Sequence, residues 1–262
     1  MFTTNTQIIR SGRSELHYAI IPWDSEYLHN TTIEIKKITV TSVVTLKKLL
    51  DQLQKTRDLK KGDLLVSKIP LMEYPIVHML NQVGFYYMEQ TTTLDIDLSS
   101  WNATLFSFSN DGEFQLVQAD LSDKKAIQAI AQTTFTADRY HLDKRIPKKR
   151  ADFRFKMWIE NSFHNADTVY KFIDKKSNIV GFFIVNEEKE YAEFRLAGLH
   201  TAYKGKGLGK MLYHHMYQIL KEKKYKTIAS VISLNNIQVL NVYMYLTQAK
   251  FTKPLIVLHN VL

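Results

Sequence analysis

Between a strand-like run ending at Leu199 and a strongly helical run beginning at Leu208 lie three of the chain's nine glycines, at 205, 207 and 209 of "HTAYKGKGLGKML". A strand that turns through bare backbone into a helix exposes several successive N–H groups at the helix N-terminus, and such an end attracts anions. Glycine permits unusual dihedrals and lets an anion approach with no Cβ in its way. Lys204, Lys206 and Lys210 add positive charge nearby. The segment therefore predicts a phosphate cradle at a strand-to-helix junction, which calls for an α/β fold. Two other phosphate loops do not fit it. No Gly-Lys-Ser/Thr ending follows, and the loop succeeds an antiparallel-looking run of strands instead of opening a first βαβ unit.

The surrounding pattern is a mixed sheet. Phe114–Ala119 reads as a strand and Asp120–Phe135 as a helix that Ser122 or Asp123 can cap. A basic loop and an amphipathic helix over Ala151–Ser162 follow. Thr168–Asp174, Ile179–Asn186 and Ala192–Leu199 read as strands, the first two joined by the turn "DKKSN". Helix Leu208–Glu222, strand Thr227–Ser233, helix Ile237–Thr247 and strand Pro254–Asn260 complete the unit. The chain has 262 residues, enough for two domains, and "SSWNATLFSFSNDGEF" (Ser99–Phe114) is the best boundary between a 1–110 domain and a 113–262 domain. The first domain faintly echoes the end of the second: "DLLVSK", a helix over Tyr74–Gln82, "GF" and "TTTLDIDL" parallel "TIASVIS", a helix, "KF" and "LIVLHN". Either it is a related scaffold whose polar functional positions have become apolar, or the two are unrelated helix-to-strand units.

Several function classes fall away. With no cysteine there is no disulfide framework, thiolate metal site or acyl-cysteine chemistry, which suits the cytoplasm. The N-terminus lacks a basic start with a long apolar core, and runs such as Ile179–Val185 fall far short of the roughly 20 residues that cross a bilayer. No membrane role is expected. The net charge of +9 attracts polyanions in general, but aromatic and basic residues do not interleave, so nucleic acid is not the expected partner. His214 and His215 are adjacent on a helix and face different ways, and no metal site emerges.

Leu199–Gly209, "LHTAYKGKGLG", resembles the pyrophosphate-binding signature of the GNAT N-acyltransferase superfamily, Q/R-x-x-G-x-G/A, with Lys204, Gly207 and Gly209 in those places and Lys replacing the usual Arg or Gln. The element order of 113–262 is also similar to that fold. The resemblance implies a GNAT domain preceded by a smaller α/β domain, itself either GNAT-like and degenerate or unrelated. It also implies acetyl-CoA as acyl donor, with Gly205, Lys206, Leu208 and Lys210 completing the cofactor loop. "DRYHLDKRIPKKRADFRFKMWIENS" (Asp138–Ser162) is similar to the corresponding insert of dTDP-fucosamine acetyltransferase-like proteins. That likeness implies a nucleotide-linked amino sugar as acceptor, with Arg139, His141 and Arg145 as binding candidates. Other acceptors in the superfamily are a protein N-terminus, a polyamine or an antibiotic amine, and a non-catalytic acyl-CoA-binding module is the reading from another class. A homodimer is among the expected assemblies.

Asn236 and Tyr243 stand seven residues apart, almost two helical turns and roughly 10 Å along one face. That spacing suits an extended pantetheine arm, Asn236 touching its amides and Tyr243 reaching the thioester sulfur. A tyrosine is protonated at neutral pH and can donate to a departing thiolate. Tyr245, two positions on, points to the other side. A strand disrupted near Leu199 would leave N–H groups to polarise the thioester carbonyl, making the Leu199 and Thr201 backbones the candidates. The amine also needs a base. Glu193, His141 and Asp143 are rivals for that role.

Overall fold

The computed structural model describes residues 5–136 and 138–262. In chain order the elements are β1 (Gln7–Ser11), β2 (Ser14–Ile20), α1 (Pro22–Leu28), β3 (Thr32–Thr39), α2 (Val43–Arg57), β4 (Leu64–Pro70), α3 (Tyr74–Gln82) and β5 (Tyr86–Asp97). Then come β6 (Phe114–Gln118), α4 (Lys124–Thr134), α5 (Arg139–Leu142), α6 (Lys148–Ser162), β7 (Asp167–Asp174), β8 (Ile179–Glu188) and β9 (Tyr191–Leu199). The chain ends with α7 (Leu208–Glu222), β10 (Thr227–Ser233), α8 (Ile237–Leu246) and β11 (Lys250–Val261). These fall into two compact units. The first takes the described residues up to Thr91, Asp138–Ala151 and Lys253–Leu262; the second takes Thr92 to residue 136 and Asp152–Thr252. The segment Ser99–Phe114, expected as the boundary, thus belongs to the second unit, and the last ten residues belong to the first.

In the first unit the strands run β1-β2-β3-β4-β11, with β3 and β4 parallel and the other neighbours antiparallel. Helix α2 forms because Ser42 accepts a hydrogen bond from Thr45 N at 3.2 Å at its start and Asp58 takes a left-handed turn at its end. Its buried residues, Leu46, Leu49, Leu50 and Leu53, follow the spacing of one helical face and pack with Ile33, Ile35, Leu65 and Ile69. Burying each leucine contributes about 1.5–3 kcal/mol.

The second unit orders its strands β5-β10-β9-β8-β7-β6. Strand β8 is apolar on both sides because both are covered. Phe183 and Val185 join the core beneath α7 and α8, while Phe182 and Ile184 join the core with Ile127 of α4 and Phe155 of α6. Two local expectations need correction. Asp120 caps the turn before α4 by accepting from Ser122 N at 2.8 Å, so Ser122 is not the cap; Asp123 does stand at the N-cap of α4, but its side chain accepts from Asp120 N at 2.9 Å and caps no N–H of that helix. Helix α6 starts at Lys148, directly after Pro147, because proline is suited to a helix's first turn.

One topology occurs in both units. Each has two antiparallel pairings, β1-β2-β3 and β7-β8-β9, then a parallel pair that follows a helix, β3-β4 after α2 and β9-β10 after α7. Each third strand carries one extra residue against its antiparallel neighbour. Lys36 falls out of register where Lys37 pairs His17 and Ile35 pairs Tyr18; Arg195 does so where Leu196 pairs Ile184 and Phe194 pairs Val185. The parallel pairings stop early in both, at Ile35↔Ser67 and Phe194↔Ser230, although the strands run on to Thr39, Pro70, Leu199 and Ser233.

Candidate active site

The glycine loop is a largely exposed stretch of the second unit's backbone. Strand β9 ends at Leu199, a turn over Thr201–Tyr203 follows, and the chain enters α7 at Gly207. Gly205 and Gly207 have φ values of 76° and 78°, which favour glycine strongly, and a Cβ at either would meet nothing within 4 Å. Tyr203 N bonds His200 O at 2.9 Å and Lys204 N bonds Thr201 O at 3.2 Å; the next backbone donor with a partner is Lys210 N, to Gly207 O at 3.2 Å. Among the described residues no hydrogen bond takes the N–H groups of residues 205–209. Gly207, the residue before α7, supplies no side-chain cap. Open space, free donors and a helix N-terminus fit a diphosphate.

The lysines beside this cradle are held differently from one another. Lys204 donates from Nζ to Thr134 O at 2.9 Å, so it serves the last turn of α4. Lys206 lies 5.2 Å from the Tyr203 ring centre and Lys210 3.7 Å from that of Tyr245. Leu208 is buried and anchors the helix start, and a Cβ at Gly209 would touch only Val242, at 3.7 Å.

The early end of the β9–β10 pairing opens a wedge, and Tyr243 stands at its apex. Ser230, the last residue of β10 paired with β9, hydrogen-bonds the Tyr243 hydroxyl, and so does Tyr213 of α7. The Tyr213 and Tyr243 rings meet edge to face at 5.2 Å. Tyr243 is 1% exposed, and burial pushes its phenol up to about 12, against a smaller opposing effect of Ser230 and Tyr213. The proton is therefore held at neutral pH, while both neighbours stabilise the phenolate left after it is given away. Tyr245 is 44% exposed on the other side of α8.

Other expected residues take different places. The strand irregularity lies at Arg195, not near Leu199: Leu199 still pairs with Gly181, and its carbonyl accepts from Thr134 Oγ1 at 2.9 Å. Thr201 is exposed in the turn before the cradle. Asn236 caps α8, its Oδ1 accepting from Val239 N at 3.3 Å. Glu193 is ion-paired with Arg195 Nη1 at 3.0 Å. It alternates with Phe194, whose ring packs in the core with Tyr243, so Glu193 occupies the opposite face of β9.

Arg139, His141 and Arg145 lie in the first unit with Asp143, and all are engaged there. Arg139 donates to Glu89 at 3.2 Å and to the Tyr140 hydroxyl at 3.1 Å, and Tyr140 donates to Asp24 at 2.7 Å. His141 is paired with Asp138. Arg145 grips both oxygens of Asp143 at 2.8 Å, bonds His259 O and lies over the Tyr86 ring. Burial alone would raise the Asp143 carboxyl, but hydrogen bonds from His259 and Arg145 outweigh it and hold the group well below the carboxylate range. Burial lowers His259, against the opposing pull of Asp143. Among the described residues no group of three or more His, Asp or Glu side chains is placed to hold a metal, and no helix is long and apolar enough to cross a membrane.

Known proteins share this architecture. Residues 126–246 match the model of the Acetyltransferase (GNAT) family, the stretch that holds the cradle, the wedge and Tyr243. The fold is similar to that of a GCN5-related N-acetyltransferase from Sphaerobacter thermophilus, with a TM-score of 0.66 at 8% identity over 94% of this chain and 76% of that one. It is also similar to a tandem GNAT protein from the clavulanic acid biosynthesis pathway, with a TM-score of 0.54 at 13% identity over 98% of this chain and 82% of that one. The chain has the GNAT fold, and its residues 126–246 are similar to the acetyltransferases of that family, whose acyl donor is acetyl-CoA. By sequence it is 19% identical to the spore coat polysaccharide biosynthesis protein SpsD of Bacillus subtilis (strain 168) over 222 residues, 84% of this chain and 75% of that protein.

Proposed function

We propose that the protein acetylates the primary amine of a nucleotide-linked amino-deoxy sugar. The observation that carries the transferase reading to these residues is the row of free main-chain donors at 205–209, which fits the diphosphate of acetyl-CoA. Support for the sugar comes from similarity to a polysaccharide biosynthesis protein; Arg139, His141 and Arg145 of the insert are engaged within the first unit and add none. Acetyl-CoA supplies the acetyl group as a thioester. The wedge beyond Phe194↔Ser230 takes the pantetheine arm, with Asn236 at its side. Tyr243 donates its proton to the sulfur as the carbon–sulfur bond breaks, and Ser230 and Tyr213 stabilise the resulting phenolate. Glu193 takes the proton that the amine loses, through water. All three candidates are engaged, Glu193 with Arg195, Asp143 with His259 and Arg145, and His141 with Asp138, but only Glu193 belongs to the same unit as Tyr243.

The first unit is, on this reading, a second GNAT copy that has lost its cradle. Its strand order, its bulge at Lys36 and its early-ending parallel pair match the second unit, yet residues 40–42 alone join β3 to α2, and the Ser42 side chain occupies the helix start. The acceptor is tested by an acetyl-transfer screen over dTDP- and UDP-linked amino sugars, with polyamines and peptides as comparators. The reading expects the highest kcat/KM on an amino sugar. A polyamine or peptide preferred over every sugar would overturn it.

A further inference from the structure

The segment between β5 and β6 is fastened along α7 and α8, and it builds an aromatic surface next to the cradle. Trp101 Nε1 donates to Leu246 O at 3.0 Å, closing the end of α8, and Lys221 of α7 donates to the carbonyls of Ser99 and Trp101. The Trp101 and Phe106 rings stack at 6.1 Å, and Phe106 meets Tyr245 at 5.6 Å. Tyr245 keeps 44% of its surface exposed, and neighbouring Leu105 keeps 74%. Lys210, in the first turn of α7, reaches 3.7 Å from the Tyr245 ring centre. The cradle is therefore continued by a cation and then by an open aromatic face, the order in which a diphosphate, a phosphorylated ribose and a purine follow one another in CoA.

We propose that Tyr245, backed by Phe106, stacks the adenine of CoA, and that Lys210 leaves the Tyr245 ring to meet the 3′-phosphate. The proposal rests on the acetyl-CoA reading of the cradle. Two features favour a purine over a protein surface as the occupant: the exposed ring has a cation beside it, and it continues a site for a dianionic diphosphate. Stacking a base on an aromatic ring is worth about 1–3 kcal/mol by alanine substitution, or about 5- to 150-fold in affinity.

The test is calorimetric titration of the whole chain with CoA, dephospho-CoA and 4′-phosphopantetheine, which lacks the adenosine. Tyr245→Ala should weaken CoA about tenfold and leave 4′-phosphopantetheine unchanged, and Tyr245→Trp should restore CoA affinity. Lys210→Met should abolish any preference for CoA over dephospho-CoA. Phe106→Leu is the second variant, expected to follow Tyr245→Ala more weakly. An equal loss for CoA and 4′-phosphopantetheine, or no loss for either, would overturn the platform while leaving the cradle standing. A wild-type chain that binds no CoA would overturn the cradle and the platform together.

Discussion

In the acid role proposed for it, Tyr243 would join two demands that oppose one another: an acid must keep its proton until the sulfur needs it, and must then survive as an anion. Burial satisfies the first by raising the phenol to about 12, and the hydrogen bonds from Ser230 and Tyr213 serve the second. Tyr243→Phe should lower kcat on the order of a hundredfold and leave the Kd for CoA unchanged; an unchanged kcat would remove its role. A second residue-scale expectation concerns the His259–Asp143–Arg145 cluster. Both titrating groups are lowered in the folded protein, His259 from 6.5 and Asp143 from 3.8. A lowered histidine and a lowered carboxylate each contribute stability above their unfolded values and lose it as the pH falls. Stability should therefore decline as pH drops below about 6.5 and decline again in the carboxylate range. The urea midpoint of wild type should fall between pH 7.5 and 5.5, and His259→Gln should flatten that part of the curve. A wild-type midpoint that rose on acidification would contradict the assignment.

At the scale of elements, the junction of β9 and α7 can be perturbed without disturbing the core. The Cβ of a valine at 207 would meet nothing within 4 Å, but the residue must adopt a φ of 78°, at a cost of about 1–2 kcal/mol. Gly207→Val should lose CoA binding by calorimetry and retain a cooperative unfolding transition; retained binding would refute the cradle. This junction was legible in the sequence because glycine spacing and helical periodicity are local signals. The bulge was not: "EFRLAGL" alternates well enough that nothing in it marks Arg195 as the extra residue, so the irregularity was sought near Leu199. The insert misled for a related reason. Arg139, His141 and Arg145 read as free charges awaiting a ligand, whereas Arg139 and Arg145 find partners in Glu89 and in His259, 50 and 114 positions away. Pairings at that separation leave no periodicity to read.

For the whole molecule, the repeated topology has an exchange built into it: the strand that closes the first unit beside β4 is β11, from the end of the chain, and β5 lies beside β10 in the second. The sequence echo between Tyr74–Gln82 and the helix before "KF" aligned α3 with α8, but which unit each final strand joins depends on pairings between distant segments. If only the second unit keeps a cradle, titration should give one CoA per chain, and a stoichiometry of two would contradict the degenerate first copy.

The central claim is that main-chain amides at the start of α7 hold the CoA diphosphate, and amide NMR reads those groups directly. Titrating CoA into uniformly nitrogen-15-labelled protein should shift the Gly205, Gly207 and Gly209 amide signals strongly and saturably, with the Gly84 and Gly181 signals unmoved as internal controls. Saturable CoA binding that left those three glycine amides in place would contradict the account.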